Sequence, residues 1–391
     1  MSSAYNTQWI YNLAVIKEAK RWARHHFISN EQFARISEEY KAPLYHPNII
    51  IRILLFIATL FALSGISGIL GLMFIQAGET FIYFGCIIYG VGSFAALEKM
   101  FIANSNNHHF KSGVTEAVMY HACAFTIGGV CGLTDFNSPQ LIMFTCLVVF
   151  SFAAFRYLDL ITTVAAIGSL AAIIFYNCFE AGGILKQVIP FVFIFSFTAI
   201  YFLVRKLRSN NNLKLWSDNF LVLEIICLLL IYASGNYLVV RELSVNLMNL
   251  NLAEGEDIPF AFLFYFLTVI VPMGYLYFGI KNRDMALLRV SLILVAVTVF
   301  TFKYYYSLGH TEITLMFAGA ILIAIAILMM RYLKVMRIGF TGENLLSSKW
   351  ATMNLEAFVI SQTMGGNQTD AVKTSTGEGG SFGGGGSSDS F

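Results

Sequence analysis

Charge is what this sequence most lacks. Asp, Glu, Lys and Arg make up 12% of its 391 residues, about half the ~25% of an ordinary soluble domain. So little charge excludes a water-exposed surface of normal extent. Proline is also scarce, at six residues, so helices can run long without interruption. The six cysteines (Cys86, Cys123, Cys131, Cys146, Cys178, Cys227) fall in or at the ends of apolar stretches, and none has CxxC spacing. They are expected to be small packing residues rather than disulfide or metal partners. HExxH and Walker patterns are missing, and the glycine-rich run 379–386 has no Lys and no helix after it. No catalytic activity, metal or cofactor is therefore expected.

What the chain has instead is apolar length. Hydrophobic residues make up 57% of it. Crossing the roughly 30 Å apolar core of a bilayer takes about 20 helical residues. Ten stretches qualify or nearly do: 49–75, 81–102, 113–131, 141–155, 158–179, 188–204, 220–239, 260–280, 287–306 and 314–332. The fold class expected is all-α: a polytopic integral membrane protein with about ten transmembrane helices, bathed in membrane lipid.

The connections test that count. Lys and Arg concentrate in cytoplasmic loops. Lys17, Lys20, Arg21, Arg24, Arg35 and Lys41 precede the first span, and Lys111, Arg156, the group Arg205, Lys206, Arg208 and Lys214, and the pair Lys281 and Arg283 lie in alternate connections. Arg331, Lys334 and Arg337 follow the tenth span. The intervening connections hold only Lys186 and Arg241. The alternation predicts an even number of spans with both termini cytoplasmic.

Four regions follow. Residues 1–47 read as a cytoplasmic helical hairpin: Trp9, Leu13, Ile16, Ala23 and Phe27 recur at helical spacing, and Ser29 with Gln32 makes a capping box. Its polar start lacks the pattern of a cleavable signal peptide, so the first span is expected to be its own insertion signal. The hairpin is too short for an independent core, and its apolar faces are expected to pack on each other, the membrane surface or a partner. No nucleic-acid partner is expected. Residues 48–333 form the ten-helix transmembrane domain, 341–362 an amphipathic helix, and 363–391 a disordered Gly/Ser-rich tail. The terminal amphipathic helices are candidate sites for a protein partner.

Polar residues within the spans are costly and need a reason. Glu224, about one turn into the seventh span, reads either as a proton or cation site or as a carboxylate paired with a cytoplasmic Arg or Lys. Glu98, Glu116 and Asp159 lie near cytoplasmic ends and either line an acidic vestibule with Glu224 or pair with Arg52, Lys99, Arg156 and Arg289. Asp159 also suits the positive N-terminus of the fifth span. His121 in the third span is a candidate switch or a structural hydrogen-bonding residue. Pro272 is a candidate hinge. Ser64, Gly65, Gly68 and Gly71 form small-xxx-small spacings that favour close helix packing, and Gly85, Gly90 and Gly92 in the second span and Gly128, Gly129 and Gly132 in the third are expected to do the same, so the first three spans should bundle tightly.

The run Ile28-Ser29-Asn30-Glu31-Gln32-Phe33-Ala34-Arg35-Ile36 leads into a Gly/Ser-rich first span, Ala62-Leu63-Ser64-Gly65-Ile66-Ser67-Gly68. This resembles the start of bacterial predicted membrane proteins of the domain-of-unknown-function family 2157, chiefly over residues 5–74. The resemblance implies a multi-pass protein of the bacterial inner membrane and carries over no activity, ligand or site residue. Two functions fit these readings. One is a transporter of a small solute or ion, which needs a polar cavity at the midplane. The other is a non-enzymatic scaffold or subunit of a membrane assembly, which needs a closed bundle and an exposed partner surface.

Overall fold

The computed structural model describes residues 3–246 and 257–305 apart from 75, 77 and 104–107, with the isolated positions 319, 323, 327 and 331. The expected tenth span, the amphipathic helix 341–362 and the tail 363–391 lie outside the described residues. Within the described part the chain is an all-α polytopic membrane protein, with nine helices long and apolar enough to cross a bilayer.

The hairpin is α1 (Thr7–Arg24) and α2 (Asn30–Glu39). Asn6 caps α1 by accepting from the Gln8 and Trp9 amides, and the Ser29–Gln32 capping box starts α2. A two-residue strand, β1 (Leu44–Tyr45), leads to the spanning helices α3 (Ile49–Phe74) and α4 (Glu79–Ala96). The last turn of the second span, Leu97–Ile102, is π-helical. Strand β2 (His108–His109) then pairs in parallel with β1. The remaining elements are α5 (Val114–Leu133), α6 (Pro139–Tyr157), α7 (Leu160–Ala181), the short α8 (Gly183–Gln187), α9 (Ile189–Arg208), α10 (Ser217–Gly235), α11 (Tyr237–Asn246), α12 (Ala261–Asn282) and α13 (Met285–Tyr305). A 3-10 turn, Asn211–Trp216, leads into α10.

Successive antiparallel helices pack as pairs: α4 with α5, α6 with α7, α9 with α10, and α12 with α13. The α6–α7 turn is only two residues long. Leu158 takes a left-handed conformation (φ 57°), and Asp159 caps α7 by accepting from the Thr162 amide at 2.8 Å. One apolar cluster gathers Tyr5, Leu97, Phe110, Met119 and Tyr157 on the basic side of the bundle. A second gathers Phe197, Cys227, Leu228, Leu287 and Leu294 deeper in the other half.

The glycines that let helices close are not the ones on the first span. Among the described residues nothing lies within 4 Å of a Cβ placed on Gly65, Gly68 or Gly71, and none of them buries a residue of α3. The close approach is between α4 and α5. A Cβ on Gly90 would sit 2.7 Å from the Thr126 amide nitrogen, and one on Gly129 would sit 2.7 Å from the Tyr83 carbonyl oxygen. Helix α3 instead meets α5 at Gly113 (φ 92°), where a Cβ would strike the Arg52 carbonyl.

The seventh span also departs from expectation. Its apolar run extends to 239, but α10 stops at Gly235 and Asn236 is extended (φ −80°, ψ 125°) before α11 begins.

Candidate functional site

The basic side of the bundle is a polar floor. Glu98 holds Arg156 through two bonds of 2.7 Å, and Tyr157 donates to the same carboxylate at 3.2 Å. Glu116 takes the Arg52 guanidinium on Oε1. On Oε2 it accepts the Gly113 amide and the Thr115 hydroxyl, each at 2.8 Å. Asp159 accepts from Tyr120 at 3.1 Å as well as capping α7. Asn219 on α10 donates to the Asp159 carbonyl at 3.0 Å and to Thr163 at 2.7 Å, tying the α6–α7 turn to the second half of the bundle.

The N-terminal segment closes this floor. The Ala4 amide donates to the Arg156 carbonyl at 2.9 Å. Tyr5 is buried beneath it, edge-on to Phe110 at 4.9 Å. Burial, reinforced by Glu116 and Asp159, holds the Tyr5 phenol above its usual range. Tyr5, Lys111, Thr115, Glu116, Tyr157 and Asp159 enclose a cavity of about 10 Å³, room for about one water. Burial also lowers the Lys111 pKa, with Asp218 and then Asp159 opposing it.

The hairpin is likewise fastened to its own chain, an arrangement its amphipathic pattern leaves open. Asn12 donates to the Lys41 carbonyl at 2.8 Å. Trp9 packs on His108 at 4.5 Å. Among the described residues no group of three or more His, Cys, Asp or Glu could hold an ion. His108 Nδ1 meets the Ile102 carbonyl at 2.9 Å and His109 Nδ1 meets Ser112 at 3.0 Å.

Glu224 stands apart from that floor. It pairs with Arg208 at 2.7 Å, and its side chain is 4% exposed. Its second oxygen, Oε1, is buried and has no partner. Nearby, Arg205 bridges to Asp284 at 3.2 Å and donates to Tyr201. The five sequence candidates therefore divide. Glu98, Glu116 and Asp159 share the first half of the bundle, and Glu224 belongs to α9, α10 and α13. His121 is among rings, 5.5 Å from Tyr89 and 4.5 Å from Phe125, with Nε2 buried and unpartnered.

A polar knot that the candidate list lacks lies at the α10 break. Asn236, fully buried, donates to Tyr232 at 2.8 Å and to Thr301 at 3.0 Å. Tyr232 meets Thr298 at 2.9 Å, and Thr298 donates to the Thr268 carbonyl at 3.0 Å. That carbonyl is the one Pro272, four residues on in α12, has no N–H to reach. A hydroxyl from the neighbouring helix, its proton shared with the Leu294 carbonyl at 2.9 Å, reaches the carbonyl that the proline leaves free. Thr268 in turn accepts the first amide of α11, from Tyr237, at 3.0 Å. The signals were present in the sequence: Ser234-Gly235-Asn236 is turn-forming, and Thr268 sits four residues before a proline.

Within the membrane layer, a cavity of about 180 Å³ lies among α6, α7, α9 and α10, walled mainly by groups such as Leu147, Phe155, Ile167 and Leu223. Another, of about 100 Å³, lies between α3 and α4 beside Tyr89 and Phe125. Neither is walled by Glu224 or His121. No family model matches the chain, and comparisons with curated proteins and with solved structures find no match.

Proposed function

We propose that this protein is a non-enzymatic scaffold or assembly subunit of the bacterial inner membrane, related to the domain-of-unknown-function family 2157, with its N-terminal hairpin in the cytoplasm. The alternation of basic connections supports that orientation. One observation carries the functional reading. Glu98, Glu116, Asp159 and Glu224 are each engaged by a partner in their own half of the bundle, while the intramembrane cavities are lined mainly by apolar groups. A transport pathway needs polar groups free to exchange partners with a solute. The docked hairpin, by contrast, presents Tyr11, Trp22 and Phe27 at 55%, 41% and 63% exposure. Exposed aromatics beside basic residues are a common partner-binding surface.

A transport reading has its own support in the unpartnered Glu224 Oε1 and the discontinuous α10–α11 helix. Two measurements separate the readings. Photocrosslinking in cells from position 11 or 22 should give one discrete adduct that also co-purifies in fixed ratio. Proteoliposomes should show no proton or cation flux that Glu224→Gln removes. A Glu224-dependent flux with no stoichiometric partner overturns the scaffold reading.

A further inference from the structure

The segment from Ser3 to Asn6 joins the hairpin to the polar floor with little slack. Asn6 is the N-cap of α1 and accepts from the Gln8 and Trp9 amides, so Tyr5 stands one residue from the helix. On its other side the Ala4 amide donates to the Arg156 carbonyl at 2.9 Å, and the Ser3 hydroxyl reaches the same oxygen at 3.5 Å. One residue of extended chain spans at most about 3.6 Å. A larger movement of the first turn of α1 away from the bundle therefore draws Tyr5 with it. Ile10 and Leu13 of α1 rest on the same apolar cluster that holds Tyr5 with Leu97, Phe110, Met119 and Tyr157.

Tyr5 is 7% exposed, and its side chain shares the water-sized cavity with Lys111, Thr115, Glu116 and Asp159. Thr115 and Glu116, on the same cavity, are 3% and 7% exposed. The carboxylates do not depend on Tyr5 for their positions. Glu116 has Arg52, the Gly113 amide and the Thr115 hydroxyl. Asp159 has Tyr120 and the Thr162 amide. All of these partners belong to the spans and their connections, so withdrawal of Tyr5 leaves a shaped polar slot. Among the described residues, the bond from Ala4 to Arg156 is the one backbone hydrogen bond between the segment and the bundle. Segments held by so few bonds open at a fraction of the free energy of global unfolding.

We propose that Tyr5 is a latch: seated, it keeps bulk water from Glu116 and Asp159, and drawn out by movement of α1, it opens the slot on the basic side of the membrane. A partner that shifts α1 by binding at Tyr11 and Trp22 is thereby felt in the bundle. That last step rests on the partner reading above; the latch itself does not, and it is tested without a partner.

The test uses the full chain in nanodiscs with Thr115→Cys as a reporter on the cavity wall. A small cationic methanethiosulfonate is added, and modification at position 115 is followed by peptide mass spectrometry. In this parent the thiol should react slowly. Adding Tyr5→Ala should raise the rate about tenfold or more, because labelling then no longer waits on a local opening. Leu13→Pro, which breaks α1 and leaves Tyr5 in the chain, should raise it to a similar extent. Tyr5→Phe keeps the ring and should stay within about twofold of the parent, as a swap that conserves volume. All three changes lie in the segment before the first span, outside the helices that insert. A rate at the parent level in Tyr5→Ala or in Leu13→Pro, a rate in Tyr5→Phe equal to that of Tyr5→Ala, or fast labelling of the parent itself overturns the latch. A latch that passes while positions 11 and 22 give no crosslinked adduct removes the partner step alone.

Discussion

Replacing Thr298 by Val tests whether α13 repairs the bond that Pro272 removes from α12. Valine keeps the shape and deletes the hydroxyl. Three contacts go: the donation that its one proton shares between the Thr268 carbonyl at 3.0 Å and the Leu294 carbonyl of its own helix at 2.9 Å, and the contact with Tyr232 at 2.9 Å. Hydrogen bonds between membrane helices average about 0.6 kcal/mol and reach about 1.7. Leaving a buried carbonyl without any partner costs about 1–3 kcal/mol. Thr298→Val should therefore destabilise the protein by about 1.5 kcal/mol. The discriminating step is a cycle with Pro272→Ala, which gives position 272 an N–H able to reach the Thr268 carbonyl along the helix. In that background the Thr268 carbonyl no longer depends on the hydroxyl and only the Leu294 and Tyr232 contacts remain to be lost, so Thr298→Val should cost about 1 kcal/mol less. Unfolding free energies would come from SDS titration of protein in mixed micelles, followed by circular dichroism. Thr298→Ser, which keeps the hydroxyl, should stay near wild type. An equal cost of Thr298→Val in both backgrounds would refute the repair.

Removing one partner of a buried ion pair leaves a stranded charge. Here Glu224 is buried but Arg208 is 36% exposed, so Arg208→Ala should lower stability by about 1–2 kcal/mol in the same titration, and adding Glu224→Gln should recover most of it. Gly90→Ala should cost about 1–3 kcal/mol, because the new methyl meets the α5 backbone. Gly68→Ala, facing open space, should be neutral or stabilise by up to about 1 kcal/mol through helix propensity; equal effects would contradict the packing described for α4 and α5. The hairpin should loosen in acid. Burial, reinforced by Lys17, lowers the His46 pKa below the ordinary 6.5, although the Phe110 carbonyl opposes this, and burial likewise lowers His109. Groups with depressed cationic pKa values give stability that is complete above pH 6.5 and is lost as pH falls toward the folded value. At His46, Nε2 faces the Lys17 ammonium at 3.3 Å, so protonation sets two cations against each other. Protection factors in residues 6–46, corrected for the base-catalysed intrinsic rate of exchange, should fall between pH 7 and pH 5, and factors that stay flat would sink the assignment.

The spanning helices were legible because lipid imposes a one-dimensional rule: about 20 apolar residues, then a connection. Eight of the ten expected spans match described helices to within four residues, and the seventh overlaps its helix but ends at Gly235 rather than at 239. Local chemistry was legible too, as in the Ser29–Gln32 box and the Asp159 cap, because each lies within four residues of its partner. The small residues at 64–71 carried a spacing that meets no close neighbour among the described residues. A small-residue stripe permits close approach but does not say which neighbouring helix comes near.

Sequence alone thus determined that this chain lives in a membrane, roughly where it crosses, and on which side its cations collect. Each of those follows from solvation energies that add residue by residue. Tertiary structure decided the rest: that Glu224 meets Arg208, that Tyr5 seals the floor over Glu116 and Asp159, and that Thr298 answers Pro272 across two helices. Those partners stand 16 or more residues apart. Their pairing depends on which helices become neighbours, and in lipid that choice rests on side-chain fit and hydrogen bonding rather than on hydrophobicity, which all the spans share.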